Sequence, residues 1–552
     1  MTGALSRRNL FKIGGAAAAA GIGVAVPREA LAQEGTWYSA LVQEDADGRL
    51  RYPADPVSDK RIPDFSWAGY RNGEEAIPDV PVVKTIGPLA DPEQDATAHL
   101  QAALDEVGAL PKDPVTGFRG ALLLLPGVYP VATTVWMTRS GVVLRGSGRQ
   151  LDTGTVIRST AAKGNLEDPE NGVECPLWVG GKAKGWEDGL ETAVKTEVVA
   201  DLVKAGTRRL TMASTEPFKV GDNVIVHHPC TQEWLDEIDG GGGEPWQPDS
   251  LPIVYNRYIK KIEGDVIVLD APVFNDLDRS LSQTFVYVWD QDGLVRNLGV
   301  ESLRVDMTAG DRFQQDEAHA DSCIAVVRTE DSWIRDVAAL HFAHAGVIVR
   351  RSTRVTVRDV RARDPRSQII GKRRYNFNAG YMAQLILFEN LWASEARHAF
   401  VSGGQATSSG NVWVDCRSDF GHAESGGHAK WSQGLLYDNV QELSSQSPNP
   451  WILNLHNRET AGESDEQGWS SVYSVLWNCT VNRIDDASWA CVQRPPTSQN
   501  FAIATTGIAN NVNWYTGNPA GYIEANKGPG LVPASLYRAQ LDQRVRFGML
   551  DF

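Results

Sequence analysis

One pattern dominates the second half of this 552-residue chain. A short apolar run ends in an acidic or amide residue followed by Val, Asn or Cys. It recurs at Asp336-Val337, Asp359-Val360, Glu389-Asn390, Asp415-Cys416, Asp438-Asn439 and Asn478-Cys479, with gaps of 23, 30, 26, 23 and 40 residues. Self-similarity at such a period marks a solenoid, in which each coil buries its apolar face only against its neighbours. Runs such as Val347-Ile348-Val349 and Val355-Thr356-Val357 are β-branched and fit strands. A propeller would need antiparallel hairpins every ~40–45 residues, and none is visible. The pattern predicts an all-β fold, a single-stranded parallel β-helix.

Other segments depart from that rhythm. Residues 33–80 are rich in Pro and Trp and read as a wrapping arm. Within 81–194, Asp95 followed by Ala and Leu at helical spacing predicts a capping helix at the start of the β-helix. Residues 195–290 carry four consecutive glycines, Gly240 to Gly243, and many aromatics. They read as an insertion or side subdomain with antiparallel strands around 222–227 and 266–269. Residues 291–515 form the main β-helix with the candidate groove, and 516–552 a C-terminal tail or cap.

The capping helix, the Leu125-Pro126-Gly127-Val128-Tyr129 strand and the Val142-Val143-Leu144-Arg145-Gly146 strand occur in the order found in pectate-lyase-like right-handed parallel β-helices, which this chain resembles. The segments SQIIGKRRYNF, ARHAFVSG, GGHAKWSQGLLYDN, LWNC, RPPTSQNFAI and PASLYRAQL resemble those of exported bacterial proteins in that superfamily. Agreement covers roughly residues 80–150 and 300–545. The resemblance implies a carbohydrate-active protein: a lyase on uronate polymers, a hydrolase or an epimerase. It assigns no role to any individual residue.

The N-terminus reads as an address. Ser6 to Lys12 resembles a twin-arginine export motif, an apolar stretch follows to Val26, and Ala30-Leu31-Ala32 is a small-x-small cleavage site. Residues 1–32 are therefore expected to be a signal peptide, and the protein secreted or periplasmic. That stretch is too short to span a bilayer, and nothing after Gln33 reads as transmembrane. A net charge of −16 argues against a nucleic-acid partner. The six cysteines lack metal-ligand spacing, which argues against zinc.

Against that acidic background, residues 345–375 hold ten basic side chains and two acids. Such a cluster needs counter-charge, which an acidic polysaccharide supplies and acids on neighbouring coils supply equally well. Residues about 25 apart lie on adjacent coils about 4.8 Å apart. Lys372, Arg374 and Tyr375, then Arg397 and His398, then His428 and Lys430 can therefore line one groove. β-Elimination of a uronan needs its carboxylate neutralised, a base at C5 and an acid at O4. Lys372, Arg373 and Arg374 suit the first task, His398 or His428 the second, and Tyr375 or Lys430 the third. Arg366, Arg373, Trp431, Arg458, Trp469 and Arg494 are candidate sugar contacts. Asp316, Glu317 and Asp321 form a candidate Ca²⁺ site. A glycoside hydrolase would instead need paired carboxyls, for which Glu395, Asp415 and Asp419 are candidates beside the same three acids. The residue chemistry favours a lyase, with hydrolysis, non-catalytic polysaccharide binding and C5 epimerisation as the alternatives.

Overall fold

The computed structural model describes residues 35–166, 173–182, 184–243, 245–307, 315–428, 430–446, 451–458, 467–481, 489–508, 518–524 and 530–548. The expected export signal, residues 1–32, lies outside the described residues.

The recurring acidic or amide residue marks the corner of each coil. Asp336, Asp359, Asn390, Asp415, Asn439 and Asn478 all have φ between 52° and 57°, a left-handed conformation that Asp and Asn enter more readily than other side chains. From this corner the backbone N–H reaches the next coil. Asp359 N donates to Glu389 O (3.0 Å), Asn390 N to Val414 O (3.0 Å), Asp415 N to Asp438 O (3.0 Å), Asn439 N to Trp477 O (2.9 Å) and Asn478 N to Ile503 O (2.9 Å). The following residue enters the core: Val337, Val360, Leu391, Cys416, Val440 and Cys479 form part of one buried cluster. All six cysteines are buried thiols, with no disulfide among them.

Strands on either side of these corners belong to a twenty-stranded sheet. Inside the coils Phe388, Trp413 and Tyr437 stack, with centroids 5.2 and 4.7 Å apart and rings within 6° of parallel. Their neighbours Leu387, Val412 and Leu436 point the other way, into a second core shared with the arm and the insertion. These strands are apolar on both faces because both faces are covered. Within the insertion, Asn223–His228 pairs antiparallel with Ile253–Glu263, which pairs antiparallel with Val266–Leu269. Trp431 and Trp469 belong to this second core.

The other long wall is a nine-stranded parallel sheet: β1 (Val135–Met137), β2 (Leu177–Gly180), β3 (Ser322–Val327), β4 (Ala345–Arg350), β5 (Tyr375–Ala379), β6 (His398–Ser402), β7 (Ser425–Gly427), β8 (Trp451–Leu455) and β9 (Trp489–Val492). Their register stacks one coil on the next, with Val347 beside Phe377 and Phe377 beside Phe400.

One helix covers the first coils and a second lies along the flank of the twenty-stranded sheet. Thr97–Ala109 buries Leu100, Leu104 and Val107 against the first coils. Leu536–Phe547 is held at its start by Asp438, which accepts from Ser535 Oγ (2.6 Å) and Tyr537 N (2.9 Å). That helix clasps the N-terminal arm. Arg544 stacks on Trp67 at 4.0 Å and donates to Ser66 Oγ (2.9 Å) and Ser66 O (2.8 Å). Replacing Arg544 with Ala strips a buried stack and leaves buried acceptors unmet. We expect a loss of about 2–3 kcal/mol, read as a lower melting temperature. Arg544→Lys will not restore it, because an ammonium supplies neither the plane nor the fork.

Candidate functional site

Tyr375 opens β5 and His398 opens β6 in register with it. Glu424 and His428 flank β7, and Arg458 follows β8 by three residues. Coil stacking brings these five together with Arg397. The Tyr375 ring meets His344, His398 and His428 edge to face at 5.5, 4.9 and 5.1 Å, and the two latter imidazoles are 4.4 Å apart.

Hydrogen-bond chemistry fixes the state of each ring. A guanidinium can only donate. Arg458 Nη1 lies 2.8 Å from His428 Nδ1 and also bonds His428 O. Nδ1 is therefore the acceptor, and the ring proton sits on Nε2, 2.8 Å from Tyr375 Oη. Arg397 Nη1 lies 2.8 Å from His398 Nε2, so His398 carries its proton on Nδ1 and donates to Glu424 O at 2.5 Å. Arg397 Nη1 also donates to Tyr375 Oη (3.1 Å), as does the Lys372 backbone N–H (3.3 Å). Three N–H groups thus converge on one phenolic oxygen.

Burial keeps these histidines neutral. It drives His398 down to about 3, with Arg397 and Arg458 adding to the effect against Glu424. Burial also holds His428 well below the usual imidazole range, reinforced by Arg458, His398 and Arg397. His456 falls to about 4 for the same first reason. For Glu424, burial opposes ionisation, but the Arg458 guanidinium 2.8 Å away overrides it and holds the carboxyl at about 2.

Beside this cluster a cleft of about 400 Å³ crosses the outer face of β3 to β6. Asp321, His344, Lys372 and Arg373 line one end, Ile348, Arg350 and Asn378 the middle, and Gly380, Tyr381, Gly403 and Gln405 the other end. A larger cavity, about 620 Å³, lies between the arm and the insertion. Its charges pair with each other, Lys60 2.6 Å from Asp276 and Lys204 3.3 Å from Asp59.

The structure brings together Lys372, Tyr375, Arg397, His398, His428 and Arg458 from the residues singled out in the sequence. It corrects several others. His398 and His428 are not free bases, since both nitrogens of each ring are engaged. The Arg374 side chain is 1% exposed and donates to Ser367 O at 2.7 Å, a structural position. Trp431 and Trp469 are buried and cannot meet a sugar; Trp431 packs edge-on against Trp234 at 5.6 Å. The backbone N–H of Arg366 bonds Phe342 O and that of Arg494 bonds Pro519 O, and neither residue lines the cleft. Lys430 is half-exposed in a left-handed turn after β7.

The basic run is also largely neutralised by neighbouring coils. Arg354 pairs with Asp331 at 2.8 and 2.9 Å, Arg358 with Glu389 at 2.5 Å and Arg373 with Glu317 at 3.0 Å. The acids proposed for Ca²⁺ are likewise occupied. Glu317 binds Arg373 and the Gln368 N–H, Asp321 faces Lys163 at 3.8 Å, and Asp316 caps Ala318 N. Asp415 pairs with Arg538 at 2.6 Å, Asp419 accepts from Trp392 Nε1 at 2.8 Å, and Glu395 lies 3.8 Å from Arg374. None of the three is placed as half of a carboxyl pair at the cleft.

Glu424 and His344 also belong to the site. Glu424 lies 26 residues beyond His398, one coil length, which is the signal that would have placed it. Among the described residues, His398, Glu424 and His428 are the grouping whose ligand atoms come within 4.8 Å of one another. They do not suit a dication, because Arg397 and Arg458 donate into the same atoms.

No family model and no curated protein matches the chain. Several solved structures resemble it in architecture. The tailspike protein gp49 from Pseudomonas phage LKA1 is 14% identical, over 74% of this chain and 64% of its own, with a TM-score of 0.40. ORF18 of Geobacillus virus E2 is 10% identical, over 77% and 62%, at 0.39. DFA-IIIase from Arthrobacter chlorophenolicus A6, in complex with GF2, is 8% identical, over 85% and 90%, at 0.32. The chain spans less than two thirds of each of those two viral proteins. Such likeness goes no further than the parallel β-helix itself.

The buried imidazoles make the fold acid-sensitive. An unfolded histidine takes up its proton near pH 6.5, whereas His398 and His456 in the folded chain resist until about 3 and 4. The contribution of these two histidines is therefore full above pH 6.5 and falls as the pH drops through this window, against the opposite trend of Asp438 and Glu442, whose carboxyls burial pushes up to about 7. His456→Gln is therefore expected to lose less melting temperature than the parent protein between pH 6.5 and pH 4.

Proposed function

We propose that the protein is a polysaccharide lyase that cleaves a uronate-containing polymer by β-elimination. The observation that carries this reading is the convergence of three N–H donors on Tyr375 Oη beside a cleft lined by His344, Lys372 and Arg350. An oxygen so surrounded releases its proton onto a leaving group with the resulting charge already met.

In the mechanism, Lys372 holds the C5 carboxylate and draws off its charge, which acidifies the C5 proton. His344, which lines the cleft beside Tyr375, takes that proton. The C5 electron pair forms the C4–C5 double bond and expels O4, which receives the Tyr375 hydroxyl proton. The products are a new chain end bearing an alcohol and an unsaturated uronate. No water is consumed, and solvent returns one proton from His344 to Tyr375. Arg397, His428 and Arg458 act through Tyr375 as positioning residues. The twin-arginine motif supports export of the folded protein to meet such a polymer.

The test is incubation with a panel of acidic and neutral polysaccharides, following ultraviolet absorbance and reducing ends together. Elimination raises both, whereas hydrolysis gives reducing ends without absorbance and would overturn the reading. Tyr375→Phe and His344→Gln should each lower kcat by about 10²–10⁴ with KM little changed. A chelator should leave the wild-type rate unaltered, because guanidiniums occupy the places a cation would take.

A further inference from the structure

The cleft extends well beyond the groups that move protons. From Tyr375 to Tyr381 the chain follows β5 and its exit, six residues that span roughly 20 Å when extended. Asp321, His344, Lys372 and Arg373 mark the reactive end. The opposite end is built around Tyr381, which the chemistry above does not use.

Tyr381 is held unusually firmly for a half-buried tyrosine. Its hydroxyl donates to Glu187 Oε1 at 2.7 Å and accepts from Trp186 Nε1 at 3.1 Å. Arg351 caps the ring at 4.7 Å and itself pairs with Glu187 at 3.3 Å. Burial and the Glu187 charge keep the phenol protonated, so it stays a donor. Trp186 is in turn packed with Tyr287 and Trp289. The segment carrying Trp186 and Glu187 thus locks a ring that borders the cleft.

The cleft floor is open because two positions lack side chains. A Cβ on Gly380 would meet Arg350 Cγ at 2.7 Å, and one on Gly403 would meet Asn378 Oδ1 at 3.2 Å. Amide groups of Asn378 and Gln405 line the same stretch. With Arg373 paired to Glu317, Arg350 and Lys372 stand against one acid, Asp321, so the lining still favours an anionic occupant. A rigid aromatic ring, amides and a cation along one trough suit the apolar faces, hydroxyls and carboxylates of successive sugar units.

We propose that Tyr381 is a distal sugar platform, so that the cleft binds an acidic oligosaccharide several units long and selects for chain length. This rests on the acidic-polysaccharide reading above but not on how the bond breaks. Pre-locking the ring removes an ordering cost that a free tyrosine would meet on binding.

The test uses the full chain carrying Tyr375→Phe, so that binding is measured without cleavage. The probes are oligogalacturonides, oligomannuronides and chondroitin fragments from disaccharide to hexasaccharide, titrated calorimetrically. Affinity for the fragment class that binds should rise about tenfold between the shortest and longest chains. Adding Tyr381→Ala should abolish that rise, leaving disaccharide affinity unchanged. Tyr381→Phe should retain most of it. Gly403→Leu, which fills the floor without a left-handed backbone to strain, should also flatten the length dependence while thermal melting is retained. An unchanged length profile in Tyr381→Ala would overturn the platform. Failure of every fragment to bind the parent protein would overturn the ligand class and the platform together. Because only binding is read, hydrolysis in place of elimination would leave this result untouched.

Discussion

The left-handed corner is the constraint on which the rest of the molecule depends. A coil can pass from one strand to the next only by reversing the sense of its backbone at one residue. At that residue the N–H turns away from its own coil and must find a carbonyl on the next. Asp359, Asn390, Asp415, Asn439 and Asn478 all do this, at 2.9–3.0 Å. Two of the side chains continue the same link, with Asn390 donating to Asp359 and Asn478 to Asn439. Every later feature inherits its spacing from this corner: the inward column of Val, Leu and Cys, the Phe388–Trp413–Tyr437 stack, and the approach of side chains one coil apart.

Covering decides where a site is able to form. The outer face of the twenty-stranded sheet packs beneath the arm, the insertion and the C-terminal helix, as Leu387, Val412 and Trp477 show. The nine-stranded sheet instead leaves its outer face open between β3 and β6, and the cleft crosses it there. The insertion covers one sheet and also backs the cleft on the other, through Tyr287, which packs on and bonds the Trp186–Glu187 segment at Tyr381. Fold architecture and binding geometry therefore share the same segment, and a change in one cannot leave the other alone.

Much of this was legible in the sequence, for an identifiable reason. Corners recur at coil length, so the β-helix could be read from Asp, Asn and the apolar residues beside them. Tyr375, Arg397, His398 and His428 could be gathered for the same reason, being about one coil apart. What failed was the direction of single side chains. Arg374 and Trp431 both sit in left-handed turns, where strand alternation gives no guide to inside and outside. The arginine run misled because its counter-charges lie a coil away: Asp331 is 23 residues from Arg354 and Glu389 is 31 from Arg358. Local charge counts miss partners that only stacking supplies.

Arg458 shows how far the site's chemistry depends on groups that never approach a substrate. Its two contacts do separate things. The bond to Glu424 keeps a buried carboxylate ionised, and the bond to His428 Nδ1 dictates which nitrogen of that ring bears hydrogen. Without the first, a buried acid would lose its compensating charge. Without the second, His428 would be free to present a lone pair to Tyr375 rather than a proton, turning a stabilising donor into a competitor for the hydroxyl hydrogen. The same logic holds on the other side, where Arg397 sets the tautomer of His398 while donating to the phenolic oxygen. A neutral imidazole is an ambiguous hydrogen-bond partner, and each of these two is made unambiguous by a guanidinium on the neighbouring coil or the adjacent residue. The arginines at this site thus act first as fixed donors that decide the direction of the side-chain hydrogen bonds leading to Tyr375, and only second as positive charge.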